Sequence, residues 1–236
     1  MQLQETVHLN GTLCHYQNAH ISVMDRGFLF GDGVYETIGI FNHQLAHVQA
    51  HLERLQSSLD HASITNPYDH KQWHEHMHAL IAQNPALAEG YLYIQITRGT
   101  SFERPQGATP ATPTVLMFLQ AKQEVPLATQ GLRLMTQEDL RWGRCDIKST
   151  SLMANVLHYQ AAKNAQKDET LLLRNGILTE GSTCNVFIVQ NHCLRTPKND
   201  QHILSGILRN KVLEIASELD IPVNMEPISY QDLLAC

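Results

Sequence analysis

The feature that most constrains this chain of 236 residues is an interruption. Residues 121–130 (AKQEVPLATQ) are polar, contain a proline and show no periodicity, and a block of mixed strand-like and helix-like segments stands on each side of them. This reads as a linker. Two such blocks predict an α+β protein of two domains, a smaller one at residues 1–121 and a second at 122–236, with a site in the crevice between them. Hydrophobic residues make up 43% of the chain and charged residues 17%, enough apolar side chain for real cores and too little charge for a disordered polymer.

In the first block, ETVHL and TLCHY flank Asn10-Gly11, a dipeptide that accepts the positive φ angles of a type I′ turn, so a hairpin is expected. VYETIGIF at 34–41 follows as a strand. Ala46, Val48, Leu52, Leu55 and Leu59 fall near helical spacing across 46–60, and a second helix is predicted over 69–83, ended by Asn84-Pro85. YLYIQIT (91–97) and TVLMFLQ (114–120) are further strands. The second block opens with the strand GLRLMT, passes through RWGRCDIKST and turns helical along SLMANVLHYQAAKNAQ. TLLLRNGILTEGSTCNVFIVQ reads as strands around an Asn175-Gly176 turn, residues 206–219 as a helix and IPVNMEPIS as a final strand.

Several function classes drop out on composition. With 17 Lys plus Arg against 23 Asp plus Glu, the net charge of −6 argues against a nucleic-acid or anionic-membrane binder. The N-terminal MQLQETVHLNGTLCHY has no basic region leading into an apolar one, and no run approaches the roughly 20 apolar residues of a membrane span. Five cysteines, an odd number without a Cys-x-x-Cys pair, disfavour a disulfide framework and a thiolate zinc site, so a reducing cytoplasm is the simplest home. His74-Glu75-His76-Met77-His78 does fit H-E-x-x-H. Its helix stops at Pro85 with no third ligand segment following, so it reads as a solvated histidine-rich face whose buried stripe is Trp73, Met77, Leu80 and Ile81; no metal is expected.

Four features carry chemistry. Lys148 lies between Ile147 and Ser149, just before a helix with an apolar face, where partial burial would disfavour the ammonium and suit the amine to bond a carbonyl cofactor. Taken alone it also fits a lysine with its head in water. Thirty-two residues on, Glu180 precedes Ser182, Thr183, Cys184 and Asn185, small polar residues that can line a ligand without filling its space. Taken alone it also fits a solvated turn glutamate. Gly206, Ile207 and Leu208 open a helix whose unpaired amides favour a phosphate, and Arg54, inside HLERL, has the forked geometry of a phosphate's counter-charge. A free helix end and a surface arginine remain the plain alternatives.

These residues stand in a familiar order. MDRGFLFGDGVYETI (24–38), HLERL (51–55), QITRGTS (95–101), RWGRCDIKS (141–149), LLLRNGILTEGSTCNVF (171–187) and ILSGILRNKV (203–212) together resemble the class IV aminotransferases, the fold-type IV pyridoxal phosphate enzymes. Within that family RWGRCDIKS and GDGVYE look most like the D-amino-acid aminotransferases.

The resemblance implies a homodimer and pyridoxal 5′-phosphate in the interdomain crevice. It implies that Lys148 carries the cofactor as an internal aldimine and moves the proton, that Glu180 partners the pyridine nitrogen and that Arg54 binds the phosphate. The amides of Ile207 and Leu208 would hold the phosphate, and Leu204 would pack against the ring. Residues Ser182, Thr183, Cys184 and Asn185 would form a cofactor-side loop. Tyr35 and Arg141 match positions near the substrate and cofactor. The arginine and histidine that trap the substrate carboxylate in D-amino-acid aminotransferases are replaced here by Glu103 and Pro105, with Arg104 one residue away. Amino transfer from a D-alanine-like donor to a 2-keto acid is therefore accompanied by two alternatives: aminodeoxychorismate lyase, giving 4-aminobenzoate and pyruvate, and a silent pyridoxal-phosphate-binding relative. Family members continue past the equivalent of QDLLAC, so the second domain is expected to be trimmed at Cys236.

Overall fold

The computed structural model describes residues 3–101, 107, 111–122 and 131–236. It divides into two units, Met1–Val125 with Ile147–Ser151, and Pro126–Asp146 with Leu152–Cys236. Most of the expected linker at 121–130 lies outside the described residues.

The first unit is one antiparallel sheet backed by helices. Its elements are β1 (Leu3–Leu9), β2 (Thr12–His15), α1 (Arg26–Phe30), β3 (Gly33–Phe41), β4 (Gln44–Leu45), α2 (Val48–Ala62), α3 (His70–Ala82), β5 (Gly90–Thr97) and β6 (Thr114–Ala121), with strand order β2-β1-β6-β5-β3-β4. The hairpin turns where Asn10 and Gly11 adopt φ of 50° and 88°. Alternation along β3 buries Val34, Glu36, Ile38 and Ile40 on one face, and the matching positions of β5 and β6 add Leu92, Ile94, Ile96, Val115, Met117 and Leu119. Against that face α2 sets Leu52, Leu55 and Leu59, and α3 sets Trp73, Met77 and Leu80. The start of α3 is secured by a capping box, in which Asp69 accepts from the Gln72 amide at 2.8 Å and Gln72 accepts from the Asp69 amide at 2.9 Å.

The second unit has a thinner apolar core. Here β7 (Leu134–Glu138) runs parallel to β8 (Glu169–Arg174), which pairs antiparallel with β9 (Ile177–Gly181), and α4 (Met153–Asn164) lies on β7 and β8. A second sheet joins β10 (Ile188–Gln190), β11 (Cys193–Arg195) and β12 (Val223–Asn224), beside α5 (Ile207–Glu218). Leu171, Leu178, Ile188 and Ile228 form its buried apolar cluster. The strand expected over IPVNMEPIS shrinks to Val223–Asn224, since Pro222 and Pro227 donate nothing to a ladder. After it comes an unexpected short helix, α6 (Tyr230–Leu234), begun by a Ser229–Asp232 capping box.

One segment departs from the expected division of the chain. Residues 147–151 fold with the first unit, although the linker-based boundary puts them in the second. The reason is backbone pairing on the part of the β3 edge that β4 leaves open: Tyr35 N–H donates to the Lys148 carbonyl and Thr150 N–H to the Gly33 carbonyl, both at 2.9 Å. Glycine permits this approach. Gly31 sits at φ 67°, and a Cβ on it would stand 2.7 Å from Ser151 Oγ.

Candidate active site

In the first unit the site grows from β3 and α2. Tyr35 and Glu36 are neighbours on a strand and so point to opposite faces, Glu36 into the core. On α2, His51, Arg54 and Ser58 lie one turn apart on a single stripe. Arg54 donates Nε to Glu36 Oε1 at 2.8 Å and Nη2 to Oε2 at 2.9 Å, and His51 Nδ1 lies 2.8 Å from Oε2. Burial alone would push the Glu36 carboxyl up. The hydrogen bonds from Arg54 and His51, together with the charges of Arg54 and Lys148, outweigh burial and hold it below the ordinary glutamate value. Ser58 Oγ accepts the Lys148 amide at 3.2 Å, and Lys148 Nζ stands 4.0 Å from the centre of the Tyr35 ring. Lys148, Tyr35 and the Glu36–Arg54 pair are thus brought into one group. Tyr35 in turn stacks on Tyr93, whose hydroxyl is pushed up to about 12 by burial and by Tyr35.

In the second unit a buried ion cluster centres on Arg141. Its side chain is 5% exposed. It donates Nε and Nη2 to Asp139 Oδ1 and Oδ2, each at 2.9 Å, and Nη1 to Glu180. Glu180 Oε2 also accepts from the Leu204 amide at 3.0 Å and from Asn185 Nδ2 at 3.1 Å. Burial pushes the Glu180 carboxyl up, and the charge and hydrogen bond of Arg141 recover only part of that shift. Asn185 reaches back to the Leu204 carbonyl at 2.8 Å, ahead of α5. Gly206 caps that helix without a side-chain cap, leaving the first-turn amides of Ile207 and Leu208 without intrahelical acceptors.

Comparison with known proteins decides the family. The model of amino-transferase class IV matches residues 33–236.

The chain is a class IV aminotransferase.

It is 33% identical over 226 residues to the D-alanine aminotransferase of Bacillus licheniformis, covering 95% of this chain and 80% of that one. Its fold matches a hypothetical aminotransferase from Mycobacterium tuberculosis in its PLP-bound form, with a TM-score of 0.83 at 20% identity, covering 97% and 84% of the two chains. It also matches a putative 4-amino-4-deoxychorismate lyase from Legionella pneumophila, with a TM-score of 0.82 at 21% identity over 92% and 81%. Class IV aminotransferases are enzymes that use pyridoxal phosphate. Taken unit by unit, the chemistry of these groups suits that cofactor: in the first unit the Lys148 amine on a hydrogen-bonded backbone, and in the second a buried carboxylate backed by an arginine and a helix start without a side-chain cap. A Cβ on Gly206 would stand 1.9 Å from Asn185 Oδ1, so glycine is what lets Asn185 reach Glu180 beside that helix start.

The structure places the other expected site residues as follows. Arg141, matched to an arginine near the cofactor and grouped with the substrate residues, has its guanidinium enclosed by Asp139, Glu180, Thr179 and the His202 carbonyl. Ser182 and Thr183, expected to face the cofactor, give their hydroxyls to Glu169, the latter at 2.7 Å, and the exposed Cys184 stands 4.0 Å from the same carboxylate. Arg104, Glu103 and Pro105 lie outside the described residues. On the histidine-rich helix face His74 meets His70 at a tilt, ring centres 4.7 Å apart, and stacks on His78 at 6.1 Å. Among the described residues no cluster of three or more His, Cys, Asp or Glu is placed to hold a metal, and no helix is long and apolar enough to cross a membrane. A cavity of about 580 Å³ in the second unit is lined by Leu140, Met153, Leu157 and His158 among others, and by none of the expected site residues.

Glu36, His51, Asp139 and Glu169 were not foreseen. Glu36 carries a signal: it falls in phase with Val34, Ile38 and Ile40 on a strand, which marks a charge directed into the core.

Proposed function

We propose that this class IV aminotransferase transfers the amino group of a D-alanine-like amino acid to a 2-keto acid. The observation that carries this reading is Lys148, its backbone hydrogen-bonded to β3 and α2 and its Nζ 4.0 Å from the Tyr35 ring. The donor class rests on the likeness to a D-alanine aminotransferase across 95% of the chain. Bound pyridoxal phosphate supplies an electron sink for the charge left on the substrate when its Cα proton departs.

The protein's own groups do the rest. Lys148 Nζ would hold the cofactor through its carbonyl group in the resting protein and, as a free amine when the substrate's amine has taken that place, would accept the substrate's Cα proton and give it back. The Tyr35 ring face steadies the ammonium while it holds that proton. Glu180 keeps a proton on the ring nitrogen, and Asn185 with the Leu204 amide fixes the direction of its Oε2. Arg54 supplies charge to the phosphate, its orientation set by Glu36 and His51, and the Ile207 and Leu208 amides add dipoles of the same sign. We place Arg141 behind Glu180 as a positioning residue, and we take the enzyme to be a homodimer.

The test is the absorbance of the cofactor-loaded protein before and after adding D-alanine without a keto acid. Conversion of the cofactor to its amine form, with release of pyruvate, is expected. Lys148→Ala should lose all cofactor that borohydride otherwise fixes to the chain; cofactor still fixed in that variant overturns the role of Lys148. Pyruvate released from 4-amino-4-deoxychorismate, with D-alanine inert, replaces the transfer reading by the lyase, and inertness to both at full cofactor occupancy replaces it by a silent binder.

A further inference from the structure

Asp139 has no part in the chemistry above, yet its side chain is fully enclosed. Its Oδ1 accepts from the Arg141 amide at 3.1 Å and from Nε at 2.9 Å; its Oδ2 accepts from Arg141 Nη2 at 2.9 Å and from Thr179 Oγ1 at 3.0 Å. Arg174 Nη2 lies 3.3 Å from the same Oδ2. One guanidinium therefore serves two carboxylates. Its bidentate edge belongs to Asp139, and Glu180 receives Nη1 alone.

That division matters for a base. A buried carboxylate given the whole of an arginine's charge is a weak proton acceptor, whereas one that shares the arginine with a second carboxylate keeps more proton affinity. We propose that Asp139 is a positioning residue for amino transfer: by engaging the Nε–Nη2 edge of Arg141 it fixes the direction of Nη1 and leaves Glu180 basic enough to hold a proton on the cofactor's ring nitrogen. This inference rests on the function proposed above.

The other groups facing the cluster leave the division intact. Arg174, from β8, balances Asp139 and donates its Nη1 to His202 Nδ1, while the His202 carbonyl accepts from Arg141. His158, from α4, accepts the Leu140 amide at Nε2 and is held toward its neutral form by burial. The Cys145 thiol is pushed up to about 11, chiefly by burial. Among the described residues the charges in contact within the cluster are therefore those of Asp139, Glu180, Arg141 and Arg174.

The experiment compares the holoenzyme with its Asp139→Asn variant, which keeps the shape and removes the charge. Glu180 then faces an undivided Arg141, and the ring nitrogen loses proton occupancy. A ring without its positive charge no longer repels a proton at the nitrogen of Lys148, so the pH at which the cofactor's absorbance titrates should rise by about half a unit or more. The kcat should fall about tenfold, with KM for the amino donor within about twofold. A titration midpoint within about 0.1 unit of the parent, with kcat within about twofold, overturns the proposal. If Asp139→Asn does not fold, Thr179→Val carries the test, since it keeps the Asp139 charge but removes one donor that satisfies it, leaves more of that charge to Arg141 and should move the midpoint the opposite way by less; an unmoved midpoint there overturns it too. Parent protein in which borohydride fixes no cofactor overturns the proposed function and this inference with it, whereas parent protein that fixes cofactor beside an unmoved Asp139→Asn overturns the inference alone.

Discussion

Glu36 in the first unit and Glu180 in the second are both buried and both face an arginine, but burial loses at one and wins at the other. Glu36 receives two bonds from Arg54, a third contact from His51 and the charge of Lys148, and its carboxyl lies below the ordinary value of 4.5. Glu180 receives one nitrogen of Arg141, an amide side chain and a backbone amide, and the charge of Asp139 works against it; its carboxyl lies above 4.5. The presence of an arginine does not decide the state of a buried carboxylate. What decides it is whether the bonds and charges around the carboxylate offset its burial: Arg54, His51 and Lys148 together do so at Glu36, whereas at Glu180 burial outweighs Arg141 and the Leu204 amide, and the charge of Asp139 adds a smaller push in the same direction as burial. The first arrangement suits a permanent anion that orients Arg54, and the second suits a group that keeps a proton close.

Removing the anion should have the largest effect on stability. Glu36→Ala leaves Arg54 and His51, whose side chains are 13% and 10% exposed, without the carboxylate that compensates their burial. Loss of one partner of a buried pair costs about 3 kcal/mol or more, which urea denaturation will measure. A loss below about 1 kcal/mol would show that Arg54 finds another partner and that Glu36 is not what orients it. A smaller loss is expected from Gly206→Ala. Its Cβ would displace Asn185, and Glu180 would forfeit the Asn185 bond and with it part of its fixed direction. We expect about 1–2 kcal/mol of stability and weaker cofactor binding, read by equilibrium dialysis. Unchanged affinity would mean that the Asn185 contact does not set the direction of Glu180.

These two carboxylates also mark how far the sequence could be read. Local pattern was legible: the strand at 34–41, the stripe of Trp73, Met77 and Leu80, with Ile81 half-buried beside it, and the positive φ angles at both Asn-Gly turns appear in the structure. The short α1 was not, because the five residues Arg26–Phe30 are too few to display a period, although Asp25 and Gly31 bracket them as helix caps. Pairings were legible only in part. Lys148 and Glu180 emerged from their settings and from the family resemblance, but the partners that define them arrive from far along the chain. Thr179 reaches Asp139 across forty positions and Ser182 reaches Glu169 across thirteen, separations at which periodicity carries no information. The docking of 147–151 onto β3 failed to show for the same reason: a linker in the sequence marks a change of composition, not the last residue to belong with the strands before it.

The pH dependence of stability sharpens the contrast in its sign, and it is the smallest of these effects, since one titrating group changes stability by at most about 1.4 kcal/mol per pH unit. Glu36 binds its proton less tightly folded than unfolded. Its contribution is fully present above 4.5 and is lost as pH falls through the lower folded value, so Glu36→Gln should flatten the acid limb of the cofactor-free protein. Glu180 binds its proton more tightly folded than unfolded, so its contribution is fully present below 4.5 and is lost as pH rises through the higher folded value. Glu180→Gln should therefore leave the acid limb as it is and remove a decline on the side above 4.5. Denaturation midpoints of the two variants across pH 3–8 give the answer: limbs that flatten on opposite sides support unequal sharing of arginine charge, and limbs that flatten on the same side mean that burial, or the arginine, governs both carboxylates alike.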